Sequence, residues 1–133
     1  MSTVPWNGKA DPNSDGWAGF VAERAEIADF FKAEGLVGRV CVLSGDAHML
    51  AIDDGTHSDF APGGGMAIPV FQAAAMDRKG SEKGGPYSHG MKPGRGQFGR
   101  MRVKDDGSNL RVEWSGMNAD GETVKGMEHA FTV

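Results

Sequence analysis

An aspartate and a histidine two positions apart, Asp46 and His48, are the residues of this sequence best suited to do chemistry. They directly follow a short apolar run at residues 40–43, which ends at a Ser-Gly turn. A carboxylate oxygen and an imidazole nitrogen together suit zinc, iron or manganese better than calcium, which prefers oxygen ligands alone. The pair therefore predicts a metal site. The simpler alternative is that Asp46 caps a loop and that His48 is a partly buried histidine.

The apolar run that precedes this pair predicts a buried strand over about residues 39–44. Four to eight apolar residues closed by a turn signal are typical of a strand that is covered on both faces. The carboxyl end of such a strand is the exposed, functional edge of an open α/β sheet. Gly45 is expected to let the chain bend sharply, so that Asp46 and His48 turn toward one point and share one ion.

The remaining elements are one helix and a set of strands. Apolar residues at three- and four-residue steps predict a helix over 16–34, with Asp15 as N-cap and Gly35 as the residue just past its end. Short strands are predicted at 49–52 and 66–75, the latter interrupted by Pro69. An antiparallel β-meander is predicted over about 98–132, with strands at 98–104, 110–115 and 122–127 separated by Asp-Gly turns.

A long loop is predicted at 76–97, where glycine, proline and lysine are frequent. Loops of this length in a compact domain are usually functional or disordered. His89 could line the metal site, and several cations could contact a phosphate group: Arg78, Lys79, Lys83, Lys92 and Arg95. The alternative is a solvated loop without a role. Asp53, His57 and Asp59 are expected to be exposed to solvent.

Length and charge bound the possible functions. The chain has 133 residues and a formal net charge of −4, which argues against general binding of nucleic acid or of anionic membranes. Its apolar runs are too short for a membrane span, and its first residues lack the pattern of an export signal. The single cysteine, Cys41, is expected to be a buried packing residue.

Several segments resemble one family of enzymes. Residues 42–48, VLSGDAH, resemble the last metal motif of the alkaline phosphatase D-like (PhoD-like) metallophosphoesterases, in which G-D-x-H stands where other calcineurin-like phosphoesterases have G-H-x-H. Residues 17–24, WAGFVAER, are similar to that family's helix start, W-x-G-[YF]-x-x-E-R, and residues 84–88 and 97–99 are similar to its later segments. The resemblance covers most of the chain and is sharpest at 44–48.

The resemblance implies an α/β fold, the C-terminal part of a calcineurin-like metallophosphoesterase sandwich, with one N-terminal helix, a buried central strand and then the meander. It implies hydrolysis of phosphate esters, with Asp46 and His48 as ligands of a two-metal site that holds iron, zinc, manganese or calcium. The family's other ligands come from upstream motifs, including a G-D and an N-H motif, which residues 1–133 lack. The isolated chain is therefore expected to be inactive until an N-terminal half is supplied.

Two interpretations of this incomplete motif set stay open. The chain is either a truncated part of a phosphoesterase, which the position of the resemblance favours, or a free-standing, non-catalytic β-rich module that binds one metal weakly or none. In both cases an unpaired sheet edge and an uncovered apolar face favour docking of the missing half or self-association. A serine hydrolase built on Ser44 is excluded, because Ser44, Asp46 and His48 are too close in sequence for a catalytic relay.

Overall fold

The computed structural model describes every residue from Met1 to Val133. One α-helix, α1 (Val21–Ala33), follows a single 3₁₀ turn at Trp17–Gly19. The seven strands are β1 (Val42–Ser44), β2 (Met49–Asp53), β3 (Val70–Gln72), β4 (Met91–Pro93), β5 (Phe98–Asp105), β6 (Leu110–Met117) and β7 (Thr123–Thr132). They form two sheets in which most neighbouring strands are antiparallel, which confirms a mixed α/β fold with one helix.

The helix predicted at 16–34 is present but divided. Phe20 separates the 3₁₀ turn from α1, because its backbone (φ −125°, ψ 52°) is not helical. Asp15 caps neither segment, contrary to the expectation. The C-terminal end is as predicted: Gly35 takes φ +69°, and the N–H groups of Gly35 and Leu36 donate back to carbonyls of the last turn, which is a Schellman cap.

The first sheet has the strand order β1-β3-β2-β4, and this order corrects one prediction. The buried central strand expected over 39–44 is only β1, three residues long, and it lies at the edge of the sheet. The central strand with every residue buried is β2 instead. The prediction of a central strand was wrong because an apolar run reports covered faces only. Val42 packs on one face of the sheet and Leu43 on the other, so both faces are covered although one edge of β1 is open.

The second sheet is the predicted meander, in the order β5-β6-β7, with strands longer than expected. It packs on one face of the first sheet through Phe71, whose ring stacks on Trp114 with centroids 5.3 Å apart. Gly116 allows the two sheets to approach each other closely, because a Cβ there would lie 2.8 Å from a methyl carbon of Leu50. Cys41 packs at the margin of this core, where burial raises the pKa of its thiol.

The opposite face of the first sheet is covered by α1 and the N-terminal segment. Arg24 of α1 is only 4% exposed there. Its guanidinium donates to the carbonyls of Trp6 (2.7 Å) and Gly8 (3.1 Å) and lies 3.6 Å from the ring centroid of Phe60. The first sheet is therefore the middle layer, between the helix on one side and the meander on the other.

The other two predicted segments differ from the structure in extent. The strand expected at 66–75 is limited to β3, and the loop expected at 76–97 contains the short edge strand β4. None of the helices is both long and apolar enough to span a membrane.

Candidate functional site

The turn between β1 and β2 has an unusual backbone at Asp46. Asp46 has φ +67°, and it is the one non-glycine residue of the chain with a positive φ. The Ala47 N–H donates to the Gly45 carbonyl at 2.9 Å, which closes a γ-turn around Asp46. The bend expected at Gly45 is therefore made by Asp46, because aspartate enters the left-handed region more readily than most side chains do.

Gln72, at the end of β3, holds this turn in place. It is fully buried, and its amide nitrogen donates to the carbonyls of Gly45 (2.9 Å) and Ala47 (3.3 Å). Its amide oxygen accepts a bond from the Ser44 hydroxyl at 2.7 Å. Sequence reasoning missed Gln72, although a polar residue that ends an apolar run, as in VFQ, was a usable signal.

The Asp46 carboxylate is bound by a lysine of the 76–97 loop. Lys83 Nζ lies 2.5 Å from Asp46 Oδ2 and 2.9 Å from the carboxylate of Asp15. The two carboxylates raise the pKa of Lys83, and the hydrogen bond from Lys83 lowers the pKa of Asp15. Asp15, expected to be a helix cap, therefore helps to anchor the loop beside Asp46.

His48 contacts the same loop four residues earlier. Its Nδ1 lies 3.1 Å from the Lys79 carbonyl oxygen. Because a carbonyl can only accept, Nδ1 is the donor of this bond, which in the neutral ring leaves the lone pair on Nε2. This is the arrangement that metal-binding histidines usually have, with the second ring nitrogen bonded to an acceptor. Asp46 and His48 thus both face the segment between Lys79 and Lys83.

The ligand set of a metal centre is incomplete in this chain. No group of three or more histidine, cysteine, aspartate or glutamate side chains is arranged to hold an ion. Structural and catalytic zinc sites use three or four protein ligands. Asp46 and His48 provide two, and Lys83 already occupies one oxygen of Asp46. The residues present therefore do not fit a metal ion without further ligands.

Most of the other loop residues considered as phosphate or site contacts lie elsewhere. Arg95 is paired with Asp77, and Lys92 is exposed on the edge strand β4. The N–H of His89 donates to the Ile52 carbonyl near the far end of β2, and its ring lies 5.6 Å from that of His129. Of the five cations, Lys83 is the one whose side chain reaches Asp46.

A second carboxylate and histidine meet at that far end of β2. Asp53, expected to be exposed, is fully buried, and its Oδ2 lies 2.9 Å from His57 Nδ1. The strand register places Asp53 beside Val70 of β3, which is level with Val42 at the beginning of β1. The pair therefore lies at the opposite end of the sheet from Asp46 and His48. Asp59 is exposed, as expected, although it accepts bonds from two backbone N–H groups.

Next to the Asp46 turn, the edge strands β1 and β5 leave a gap between the two sheets, which we call the open side. A cavity of about 520 Å³ lies between their edge strands β1 and β5. Its lining is mostly apolar and consists of Met1, Ser2, Thr3, Leu43, Ser44, Gly45, Phe71, Ala73, Ala74, Met76, Gln97, Phe98, Gly99, Met101 and Trp114. One backbone segment reaches the edge of β1: the Ser2 N–H donates to the Leu43 carbonyl at 2.8 Å, in a parallel bridge.

Comparison with known proteins identifies no relative of this chain. No protein-family model, no curated protein and no solved structure matches the chain. The proposals below therefore rest on the residues and on their geometry in the structure.

Proposed function

We propose that this chain is one part of a metal-dependent phosphoesterase, to which it contributes Asp46 and His48 as ligands. The observation that carries the proposal is the turn after β1. Gln72 fixes a γ-turn with Asp46 at its centre, and His48, bonded through Nδ1, keeps Nε2 free. Backbone strain at a polar residue is more common at functional sites than elsewhere. The resemblance of residues 44–48 to the G-D-x-H motif supplies the reaction class.

The open side of the two sheets supports the need for a second polypeptide segment. The edges of β1 and β5 flank the same apolar cavity, and Gly45 of the turn is part of its lining. Exposed strand edges and apolar surface favour association. A partner that docks there would come close to Asp46 and could add the missing ligands. The N-terminal half of the phosphoesterase domain is the partner that the resemblance implies.

The first experiment separates the isolated chain from the completed domain. The purified chain is incubated with p-nitrophenyl phosphate or its bis ester and with zinc, iron, manganese or calcium. We expect negligible turnover, because two ligands leave an ion hydrated and weakly held. The same assay is repeated with a polypeptide that carries the family's upstream Asp, G-D and N-H motifs, supplied in cis or in trans. Turnover is expected only then.

Variants of the completed protein test the site itself. Asp46→Ala and His48→Ala should each lower kcat by about a hundredfold or more, because loss of a ligand misplaces the ion. His89→Ala is the matched control, since His89 lies at the other end of β2, and it should retain wild-type activity. Activity that survives both alanine variants would overturn the site assignment. Robust turnover by the isolated chain would overturn the need for a partner.

A non-catalytic binding or assembly module is the second candidate function, with the open side as its interaction surface. The Lys83–Asp46 contact favours it, because a carboxylate that is already paired needs no metal. Light scattering over a range of concentrations would separate the two candidates. A stable self-associated chain whose assembly is unchanged in His48→Ala, and which gains no activity from the N-terminal half, would support the module.

A further inference from the structure

We propose that copies of this chain associate head to tail, with the outer surface of α1 on one copy against the outer surface of the meander on the next. The two surfaces carry opposite charges. They lie on opposite sides of the molecule, because the first sheet is the middle layer between them. This contact goes beyond the proposed function and does not involve the open side.

The outer surface of the meander carries four exposed cations. Val112 and Trp114 of β6 are buried, and Trp114 stacks on the first sheet, so the residues that alternate with them face away from that sheet. Directly opposite residues of paired strands share a face, so the register places cations of β5 on the same outer surface. We call this surface the basic face, and its cations are Arg100, Arg102, Lys104 and Arg111.

The carboxylates of the basic face do not neutralise it. Glu113 lies at its centre, and its carboxylate is shared by Lys104 (2.8 Å), Arg111 (3.1 Å) and Arg102 (3.9 Å). The hydrogen bonds from Lys104 and Arg111 lower the pKa of Glu113. Glu128 of β7 is the other carboxylate that the strand register places on this surface. Four cations and two carboxylates leave a net charge of +2 here, although the whole chain has a net charge of −4.

The arrangement of these cations costs the meander stability. Lys104 and Arg111 stand directly opposite each other in the register, and like charges in that position destabilise a strand pair. Arg100 stands opposite Ser115 and has no carboxylate across the strand pair. An anionic partner would relieve the repulsion and pair the free guanidinium.

The outer surface of α1 carries the opposite charge. Arg24 and Ala28 mark the buried side of the helix. Glu26 is two positions from each of them, roughly half a turn, which places it on the side away from the sheet. The exposed carboxylates of this surface form no ion pair within the chain. We call it the acidic face, and it consists of Glu23, Glu26 and Asp29.

The two faces also match in spacing and in their apolar surface. Alternate cations of β5 are about 7 Å apart along the strand, and carboxylates three positions apart on a helix have Cβ atoms about 5–6 Å apart. Long side chains can span that difference. Phe30 of α1 is 58% exposed beside the acidic face, and Ala130 lies opposite Glu113 on the basic face. The Lys32 ammonium is turned away, because it donates to the Gly64 carbonyl.

A second copy of the chain is favoured over a nucleic acid as the partner of the basic face. Proteins that bind single strands without sequence preference stack the bases on aromatic side chains. The residues that β6 and β7 place beside the cations include no aromatic side chain, since Trp114, His129 and Phe131 face the other way. The acidic face supplies the complementary charge on the chain itself.

The contact is heterologous, so each added copy leaves one free face at each end and the assembly can grow. Exposed ion pairs are individually weak and are screened by salt. We therefore expect association at low ionic strength that is lost at high ionic strength.

Sedimentation equilibrium of the whole chain tests this directly. The average mass should rise with concentration in about 0.02 M NaCl, and association should be at least about tenfold weaker in about 0.5 M NaCl. Association through the apolar open side would not weaken with salt, because it depends on apolar surface. The measurement needs neither a metal ion nor a substrate, so its outcome is independent of the phosphoesterase assay.

Charge reversal of each face tests the pairing. Arg100→Glu/Lys104→Glu and Glu26→Lys/Asp29→Lys should each remain monomeric at low salt, because the two faces would then carry the same charge. Mixed in equal amounts, the two variants should associate again, since each reversed face meets a complementary face of the other variant. Lys104→Glu places opposite charges across the strand pair, which favours the fold. Circular dichroism checks that both variants are folded.

Lys9→Glu/Lys92→Glu is the matched control, with the same change of net charge at exposed residues outside both faces. It should associate like the wild type within about twofold. The proposal is overturned if the wild type stays monomeric at low salt, if the mixed variants do not associate, or if the control loses association as well. Binding of heparin by a chain that stays monomeric would assign the basic face to a polyanion and would also overturn it.

Discussion

Two aspartates at opposite ends of β2 differ in how completely they are hydrogen-bonded. Asp53 is fully buried and accepts bonds from the Gly55 and Ser88 backbone N–H groups and from both the backbone and the ring of His57, at 2.9–3.0 Å. The Ser58 hydroxyl lies 3.1 Å away. Asp46 has a side chain that is 41% exposed, a strained backbone and Lys83 as its one side-chain partner.

The difference separates a carboxylate that is fully hydrogen-bonded within the fold from one that has a single, exposed side-chain partner. All the bonding capacity of Asp53 is used to fix the loop after β2 and the segment at Ser88. The one partner of Asp46 is an exposed ion pair, which contributes little to stability. Both ends present an aspartate with a histidine nearby, so residue type alone does not distinguish them. The number of fixed donors around each carboxylate does.

The largest expected effect is the loss of stability when the fully hydrogen-bonded carboxylate of Asp53 is removed. Asp53→Ala should lower the free energy of unfolding by about 3–5 kcal/mol, because several buried donors lose their acceptor at once. Urea unfolding followed by circular dichroism measures it. Asp120→Ala is the control, at an exposed aspartate of another Asp-Gly turn, and should cost under about 1 kcal/mol. Equal losses in the two variants would show that the bonds to Asp53 do not hold this end of the sheet.

The next effect concerns the residue that positions Asp46. Gln72→Leu should cost about 2–3 kcal/mol, since the Ser44, Gly45 and Ala47 groups that it binds would be left unpaired. Gln97→Leu is the matched control, because Gln97 is also buried but its Oε1 has no hydrogen-bond partner. That control should be neutral or stabilising. A cost for Gln97→Leu equal to that of Gln72→Leu would contradict the role given to the Gln72 amide.

A smaller effect tests the strain at Asp46. Asp46→Gly and Asp46→Ala both remove the contact with Lys83, but only glycine enters φ +67° freely. Asp46→Gly should therefore be more stable than Asp46→Ala by about 1 kcal/mol. Chemical denaturation of the two variants side by side gives the difference. Equal stability would mean that the γ-turn costs the chain nothing.

The smallest effect lies beside Asp53, at an exposed carboxylate. A hydrogen bond from the Thr56 hydroxyl lowers the pKa of Asp54 to about 2. A carboxyl group whose pKa is lower in the folded state stabilises the fold above its unfolded pKa of 3.8, and this contribution is lost as the pH falls from 3.8 toward 2. Thr56→Val should therefore show a smaller drop in Tm between pH 4.5 and pH 2. An unchanged drop would show that the hydroxyl does not set the acid sensitivity.

The sequence predicts those parts of the fold that depend on local patterns. The meander follows from alternating residues between Asp-Gly turns, and the end of α1 follows from Gly35. The place of β1 in its sheet was not predictable in this way, because apolar side chains report covered faces and not paired edges. Register and strand order depend on β3, which lies almost thirty residues further along the chain.

The candidate site also combines features that local sequence predicts with features that depend on distant segments. The pair Asp46 and His48 is visible as a motif, but the residues that fix its backbone and bind its carboxylate come from distant segments. Gln72 and Lys83 reach the turn from β3 and from the long loop. Asp53 was expected to be exposed because a Gly-containing turn follows it, yet its burial depends partly on Ser88, 35 positions later. Contacts across such separations leave no periodic signal in the sequence.

The methionines around the cavity between β1 and β5 have a consequence for redox chemistry. Met1 and Met76 are exposed there, and Met101 lies deeper in the lining. Oxidation to the sulfoxide turns an apolar thioether into a polar group, so peroxide would weaken docking of an apolar partner at this side. A docked partner would in turn slow the oxidation of these thioethers. The peroxide reactivity of Met76 therefore reports directly whether the open side is covered.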